Sequence, residues 1–346
     1  MKRTPLTLIG LATCLMSCWA ADGASEFKSA LAAKVDQAEK QSATVVTGLD
    51  GWLFLTSELR HLSVGPFWGE SAAKVSRASN PAAADPLPAI LDFKAQLDKA
   101  GIQLVMVPVP AKAAIYPDMI VPGASNSGSN RLDSADADFI GLLKGKGISV
   151  VDLAPSFLAY RASHPDELLY SRQDTHWSGA GIQIACIEIS KLLNDQKWIQ
   201  SVAKSTYKSI PTSISANGDL ATMTAGPKPA AETLKLNKVT DSSGAVVSSA
   251  RQSPLVLLGD SHNLIYSIGD DMLATGCGLP ENLAAKIGFV PDVVAVRGSG
   301  ATPARVNLAR RGDSLAGKKA VVWCFTVREF TEGQGWRRVP VIRQGN

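Results

Sequence analysis

Leu255-Val256-Leu257-Leu258-Gly259-Asp260-Ser261 is the stretch on which the fold turns. Four apolar residues in a row, without polar alternation, suit a strand buried on both faces in the middle of a parallel sheet. The run stops at a glycine, so Asp260 and Ser261 stand at the carboxyl end of that strand, where open parallel sheets place their sites. Taken alone, the tripeptide fits a plain strand-to-helix turn capped by Asp260 or Ser261 equally well.

Outward from this run the pattern repeats. Short apolar runs at 102–107, 148–153, 293–296 and 320–325 are interleaved with helix-like segments at 89–100, 131–144, 179–193, 281–287 and 304–309. Such alternation predicts an α/β fold with a parallel sheet flanked by helices. Ahead of it, 26–41 reads as an exposed helix, an Asp50-Gly51 turn starts a strand within 47–55, and 65–88 is rich enough in Ala, Ser and Pro for a long surface loop. Between 199 and 253 the period is lost. A loop and β insertion is expected there, with Asn217-Gly218-Asp219 and Ser243-Gly244 as turns of a small hairpin pair.

Composition sets the bounds. With 346 residues, 45% hydrophobic and 19% charged, the chain has material for a large core and is not of a disordered or fibrous class. A net charge of +4 without a basic stripe interleaved with aromatics argues against nucleic acid, although a weakly basic surface suits an anionic polymer. Met1-Lys2-Arg3 followed by an apolar run to Ala20 reads as a signal peptide or retained N-terminal anchor over 1–20, and Leu15-Met16-Ser17-Cys18 partly resembles a lipobox. Export to the periplasm follows, with membrane association through the N-terminus if the segment is kept. The remainder divides into a helical segment, 21–46, and a catalytic domain, 47–346. Beyond the leader's Cys14 and Cys18, the cysteines Cys186, Cys277 and Cys324 lack CxxC spacing; one disulfide is allowed, its pair open, and neither a catalytic thiol nor a zinc site is expected.

Ser171-Arg172-Gln173-Asp174-Thr175-His176-Trp177 carries a carboxylate two residues before an imidazole. With Ser261 these make the parts of a nucleophilic triad: the carboxylate fixes the tautomer of the histidine, and the histidine takes the proton of the serine. The plainer reading is an Asp N-cap beside a structural histidine. His61, His164, His176 and His262 are too scattered for a ligand cluster, so no metal and no other cofactor is expected. His262 neighbours Ser261 and should point away from it, leaving it a substrate contact rather than the base. The oxyanion of an acyl transfer needs backbone donors, for which the Ser261 amide and the glycines of Arg297-Gly298-Ser299-Gly300 are candidates. Arg172 and Lys112 are candidate contacts for an anionic substrate.

Five blocks, Asp50-Gly51-Trp52-Leu53-Phe54, Val107-Pro108-Val109-Pro110-Ala111-Lys112, Leu169 through Trp177, Asn217-Gly218-Asp219-Leu220 and Gly259-Asp260-Ser261-His262, together resemble the alginate O-acetyltransferases, the AlgJ/AlgX-like family of SGNH hydrolase-like enzymes. The Asp-His block precedes the serine block, the reverse of ordinary SGNH hydrolases, which matches the circularly rearranged motif order of that family. The resemblance implies an exported enzyme that moves acetyl groups onto hydroxyls of an alginate-like exopolysaccharide, with acetyl supplied by a membrane-bound O-acyltransferase. It further implies that Ser261 is acylated, His176 acts as base and then acid, Asp174 orients His176, and Gly298 or Gly300 helps form the oxyanion hole. The chain departs from the pattern where the SGNH asparagine block should stand: Phe325-Thr326-Val327-Arg328-Glu329 puts Arg328 there, facing the substrate in its place. It also shows no C-terminal carbohydrate-binding module. An acetyl esterase shares every one of these residues, and a non-catalytic polysaccharide-binding component of an export complex is the reading from another class.

Overall fold

The computed structural model describes residues 12–126, 131–225 and 227–343, with side chains from residue 23 onward. Its strands, in chain order, are β1 (Val45–Thr47), β2 (Leu53–Leu55), β3 (Gln103–Val109), β4 (Ser149–Val150), β5 (Lys208–Ala216), β6 (Glu232–Thr240), β7 (Leu255–Gly259), β8 (Asp292–Ala295) and β9 (Ala320–Thr326). Five of them form one parallel sheet in the order β4-β3-β9-β7-β8. Every residue of β7 and β9 is buried, so both faces of the sheet are covered, as their unbroken apolar runs require.

The strand order explains the motif order. Counted from β7, through β8 and β9 and then back to β3 and β4, the sheet reads 2-1-3-4-5, a common doubly wound arrangement. The chain therefore follows a doubly wound sheet that starts at β7 but is cut open ahead of β3. The order reverses between β7 and β9, and the crevice beyond their carboxyl ends is where such sheets bind ligands. Ser261 follows β7 by two residues, at that crevice.

The helices form where capping and spacing direct them. Asp85 accepts the Leu87 amide and Pro86 opens the helix Pro86–Lys99, which buries Ala89, Ile90, Phe93 and Leu97 along one stripe. Ser178 caps Gly179–Asn194 in the same way. The N-terminal helix differs from its sequence reading. It runs Ala12–Lys40, and Phe27, Leu31, Val35 and Ala38 bury one face, part of it against the helix Thr56–Ser63, so it is not an exposed element. Residues 1–11 of the expected leader lie outside the described residues. Among the described residues no helix is long and apolar enough to cross a membrane.

Three further expectations are corrected. The stretch 65–88 is not a bare surface loop: it holds the short helix Ala72–Val75, and Phe67 is buried, stacked on Phe330 with ring centroids 5.0 Å apart and edge-on to Phe139. The apolar run 148–153 is strand only at β4, because the Asp152 side chain accepts the Ala154 amide and starts a helix, Leu153–Ser163. Within the insertion, β5 and β6 do pair as one antiparallel ribbon, but Asn217-Gly218 is not its turn. A short helix, Asp219–Met223, stands between the strands and packs toward β2. Cys186, Cys277 and Cys324 are free and buried.

Candidate active site

Asp260 organises the turn that carries Ser261. One of its carboxylate oxygens accepts the His262 amide at 2.9 Å, and the other accepts the Thr326 amide, at the end of β9, at 2.8 Å. One side chain thus ties the serine turn to the neighbouring strand across the crevice. Burial opposes its ionisation, yet the His262 ring 3.2 Å away, the Thr326 amide and Arg328 together hold Asp260 down at about 2.

Asp174 and His176 reach the same point from the loop ahead of the helix Gly179–Asn194. Asp174 Oδ1 accepts the His176 amide at 2.9 Å and lies 2.6 Å from His176 Nδ1, while His176 Nε2 lies 2.7 Å from Ser261 Oγ, 85 residues along the chain. With the proton of the ring held at Nδ1 by the carboxylate, the Nε2 lone pair faces the serine hydroxyl. Exposure is 2% for Asp174, 4% for His176 and 7% for Ser261, so the charges act in a poorly hydrated setting. Burial disfavours the charged form of both partners, but their mutual attraction wins: Asp174 is held well below the usual carboxylate range, and His176 is raised above its ordinary value with help from Asp219 and Asp260.

Asp219 is the site residue that sequence reasoning did not single out. Its amide donates to Asp174 Oδ2 at 3.0 Å, and its carboxylate accepts the Thr175 amide at 2.7 Å and the Thr175 hydroxyl at 2.5 Å. Gly218 permits this approach, because a Cβ there would collide with the Gln173 carbonyl and the Asp174 side chain. The signal was present in the Asn217-Gly218-Asp219-Leu220 block, but it reads as a turn. Among the described residues, Asp174, His176 and Asp219 each bring a potential metal-ligand atom within 4.8 Å of the others. Both oxygens of each carboxylate already accept amide, hydroxyl or ring hydrogens, so the donor set is consumed by its own hydrogen bonds.

The other expected site residues part company. Lys112 is fully buried and its ammonium donates to the backbone carbonyls of Ser171, Arg172 and Asp174 at 3.0, 3.2 and 2.7 Å, so it cannot meet a substrate. Its polar donors were more valuable to the loop than to solvent. Arg172 is exposed, but it lines a surface cavity with Trp52, Tyr116, Asp118 and Arg161 to which no triad residue contributes. Arg328 does stand at the crevice, 13% exposed, with Nη1 3.9 Å from buried Glu58 and 3.4 Å from Thr326 Oγ1. His262 is buried with its ring centroid 4.8 Å from that of His176 and edge-on to Trp177; burial pushes its pKa down, and Nδ1 is occupied by Asp260. Gly298 is exposed in a left-handed turn with open space about it, whereas Gly300 is buried against Asp260, where a Cβ would crowd the Asp260 amide and the Phe325 side chain. Of the two glycines, Gly300 is the one beside the serine turn.

A serine aligned on a carboxylate-held imidazole, at the switch point of a doubly wound sheet, has the geometry that attack on a carbonyl requires. The model of an SGNH hydrolase-like domain, described as acetyltransferase AlgX, matches residues 45–326. The chain belongs to the AlgX family of SGNH hydrolase-like acetyltransferase domains. The matched span runs from β1 to the last residue of β9 and includes Asp174, His176, Asp219, Ser261 and Gly300. Among curated proteins, the chain is similar to a probable alginate O-acetylase, AlgJ, of Pseudomonas aeruginosa, at 26% identity over 179 residues, 51% of this chain and 40% of that protein. The aligned part is thus well under half of that relative. Among solved structures, the O-acetyltransferase domain of Pseudomonas putida AlgJ superposes with a TM-score of 0.60 at 21% identity, covering 83% of this chain and 92% of that one. Pseudomonas aeruginosa AlgX superposes with a TM-score of 0.59 at 17% identity, covering 82% and 62%. At these identities the superpositions speak for the AlgX-type fold.

Proposed function

We propose that the protein is an exported O-acetyltransferase that places acetyl groups on hydroxyls of an alginate-like exopolysaccharide through an acetyl-Ser261 intermediate. The observation that carries this reading is the continuous Asp174–His176–Ser261 alignment, 2.6 Å and 2.7 Å long in its two steps. Membership of the AlgX family supports acetyl transfer over other acyl chemistry.

The steps use only these groups. Ser261 Oγ attacks the acetyl carbonyl carbon as its proton passes to His176 Nε2, and Asp174 stabilises the imidazolium so formed. The Ser261 amide, with Gly300 beside it, receives the developing oxyanion. As the tetrahedral adduct collapses, the proton moves from His176 to the departing donor alcohol, leaving acetyl on Ser261. A sugar hydroxyl then attacks the same carbonyl carbon, gives its proton to His176, and Ser261 leaves with that proton restored. Arg328, at the same crevice, is the substrate contact in this reading, while His262, buried against Asp260 and Trp177, supports the serine turn.

The acetyl reaches this site in the periplasm from a membrane-bound O-acyltransferase, with the N-terminal segment holding the protein near the membrane. Acetylation of a uronate-containing oligosaccharide, lost in Ser261→Ala, tests the transfer. Release of acetate to water with no modified sugar makes the protein an esterase instead.

A further inference from the structure

The fully buried Lys112 has no part in those steps, yet its surroundings are specific. It stands just beyond β3, and its ammonium directs its three donors at three carbonyls drawn from four consecutive residues, Ser171, Arg172 and Asp174. Three carbonyl dipoles converging on one point repel each other, and a loop folded in this way needs a cation at its centre. The ammonium lies 5.6 Å from the ring centroid of Trp52 and 5.3 Å from that of Phe54, the faces of an aromatic floor. Its own amide donates to Glu58 Oε2 at 3.1 Å, and Glu58 Oε1 lies 3.9 Å from Arg328 beyond β9. A chain of polar contacts therefore runs from the crevice end of β9, through Glu58 and Lys112, to the carbonyl of Asp174 itself. An ammonium with carbonyls and rings but no carboxylate hydrogen-bonded to it is a costly thing to bury, and an apolar side chain of the same length fills the space more cheaply.

We propose that Lys112 is a positioning residue: its ammonium gathers the Ser171, Arg172 and Asp174 carbonyls and so sets the loop at the register in which Asp174 and His176 meet Ser261. This rests on the reading of Ser261 as nucleophile. A charge whose only task is to hold the loop acts on the turnover of a bound ester and not on its binding. The charged groups that face it are Glu58, from the helix Thr56–Ser63, Asp174 from the loop, Asp219 from the insertion helix, and Glu232 from β6. Burial, opposed by those four carboxylates, lowers the Lys112 pKa to about 8.

The test uses the full chain with a chromogenic acetyl ester, Ser261→Ala as control, and two readings per folded molecule: steady-state kinetics, and the low-field proton resonance of His176 Nδ1. Lys112→Met should lower kcat by about 10- to 100-fold with KM within about two-fold, and should lose or shift the resonance. A folded Lys112→Met with the kcat and the resonance of the parent overturns the proposal, whatever its Tm. Should that variant not fold, Lys112→Gln, which keeps two N–H donors but no charge, is put through the same readings. Full activity in Ser261→Ala instead removes the serine mechanism and leaves the anchoring of the loop to be judged by the resonance alone.

Discussion

The amide of Asp219 donates to Asp174 Oδ2 at 3.0 Å. A helix that belongs to neither the sheet nor its covering helices thus completes the carboxylate's hydrogen bonds, and the inserted ribbon becomes part of the site. With Oδ1 engaged by His176 and Oδ2 by Asp219, the Asp174 carboxylate cannot rotate away from the imidazole.

Asp219→Ala should therefore weaken catalysis without abolishing it. The variant keeps its backbone amide but strips the Thr175 amide and hydroxyl of their acceptor, which costs on the order of 1–3 kcal/mol of local order. A drop in kcat of roughly 10-fold with a modest loss of Tm is expected. Gly218→Ala should do more, since its methyl group drives the insertion helix off the Asp174 loop. Kinetics and thermal melts of the two variants check the order.

The pH profile follows from His176. The unprotonated ring is the base, and its pKa is raised above 6.5. Activity should therefore be low in acid and rise with a midpoint on the alkaline side of 6.5. Asp174→Asn should remove that displacement and cost about 10⁴-fold in kcat, since the amide leaves the ring in the wrong tautomer. Rates measured across the acid limb for both proteins decide it.

Asp260 should matter to stability as much as to activity. Its folded-state pKa of about 2 lies below the ordinary 3.8, so its stabilisation is present above the ordinary value and is lost as pH falls toward 2. Asp260→Asn removes the charge that faces His262 and Arg328, and should cost on the order of 3 kcal/mol at neutral pH. It should also flatten the acid limb of unfolding. Chemical denaturation at neutral and acid pH measures both effects.

The sheet was legible because its strands are buried on both faces, which leaves no polar residue to break the runs at Leu255–Gly259 and Ala320–Thr326. The Asp174–His176–Ser261 set was legible because its residue types and positions relative to strands are chemically constrained. Elements whose burial comes from distant partners were not. Phe67 is buried by Phe139 and Phe330, far along the chain, while its neighbours read as loop. The β5 strand carries exposed residues along most of its length and a proline at Pro211, so neither period marks it. Asp219 hides for a similar reason: nothing in an Asn-Gly-Asp turn signal says that it folds back 45 residues onto Asp174. Lys112 was misread because an isolated lysine is exposed by default, and only the fold shows three carbonyls waiting for it.

The most direct measurement is the mass of a uronate oligosaccharide after incubation with the purified protein and an acetyl ester donor, run beside Ser261→Ala. A gain of one acetyl on the sugar, together with an acetylated Ser261 trapped at short times and neither product in the variant, is the expected result. Sugar acetylated equally by Ser261→Ala, or ester cleaved with the acetyl passing only to water across uronate and glucan acceptors, contradicts transfer through the Asp174–His176–Ser261 site.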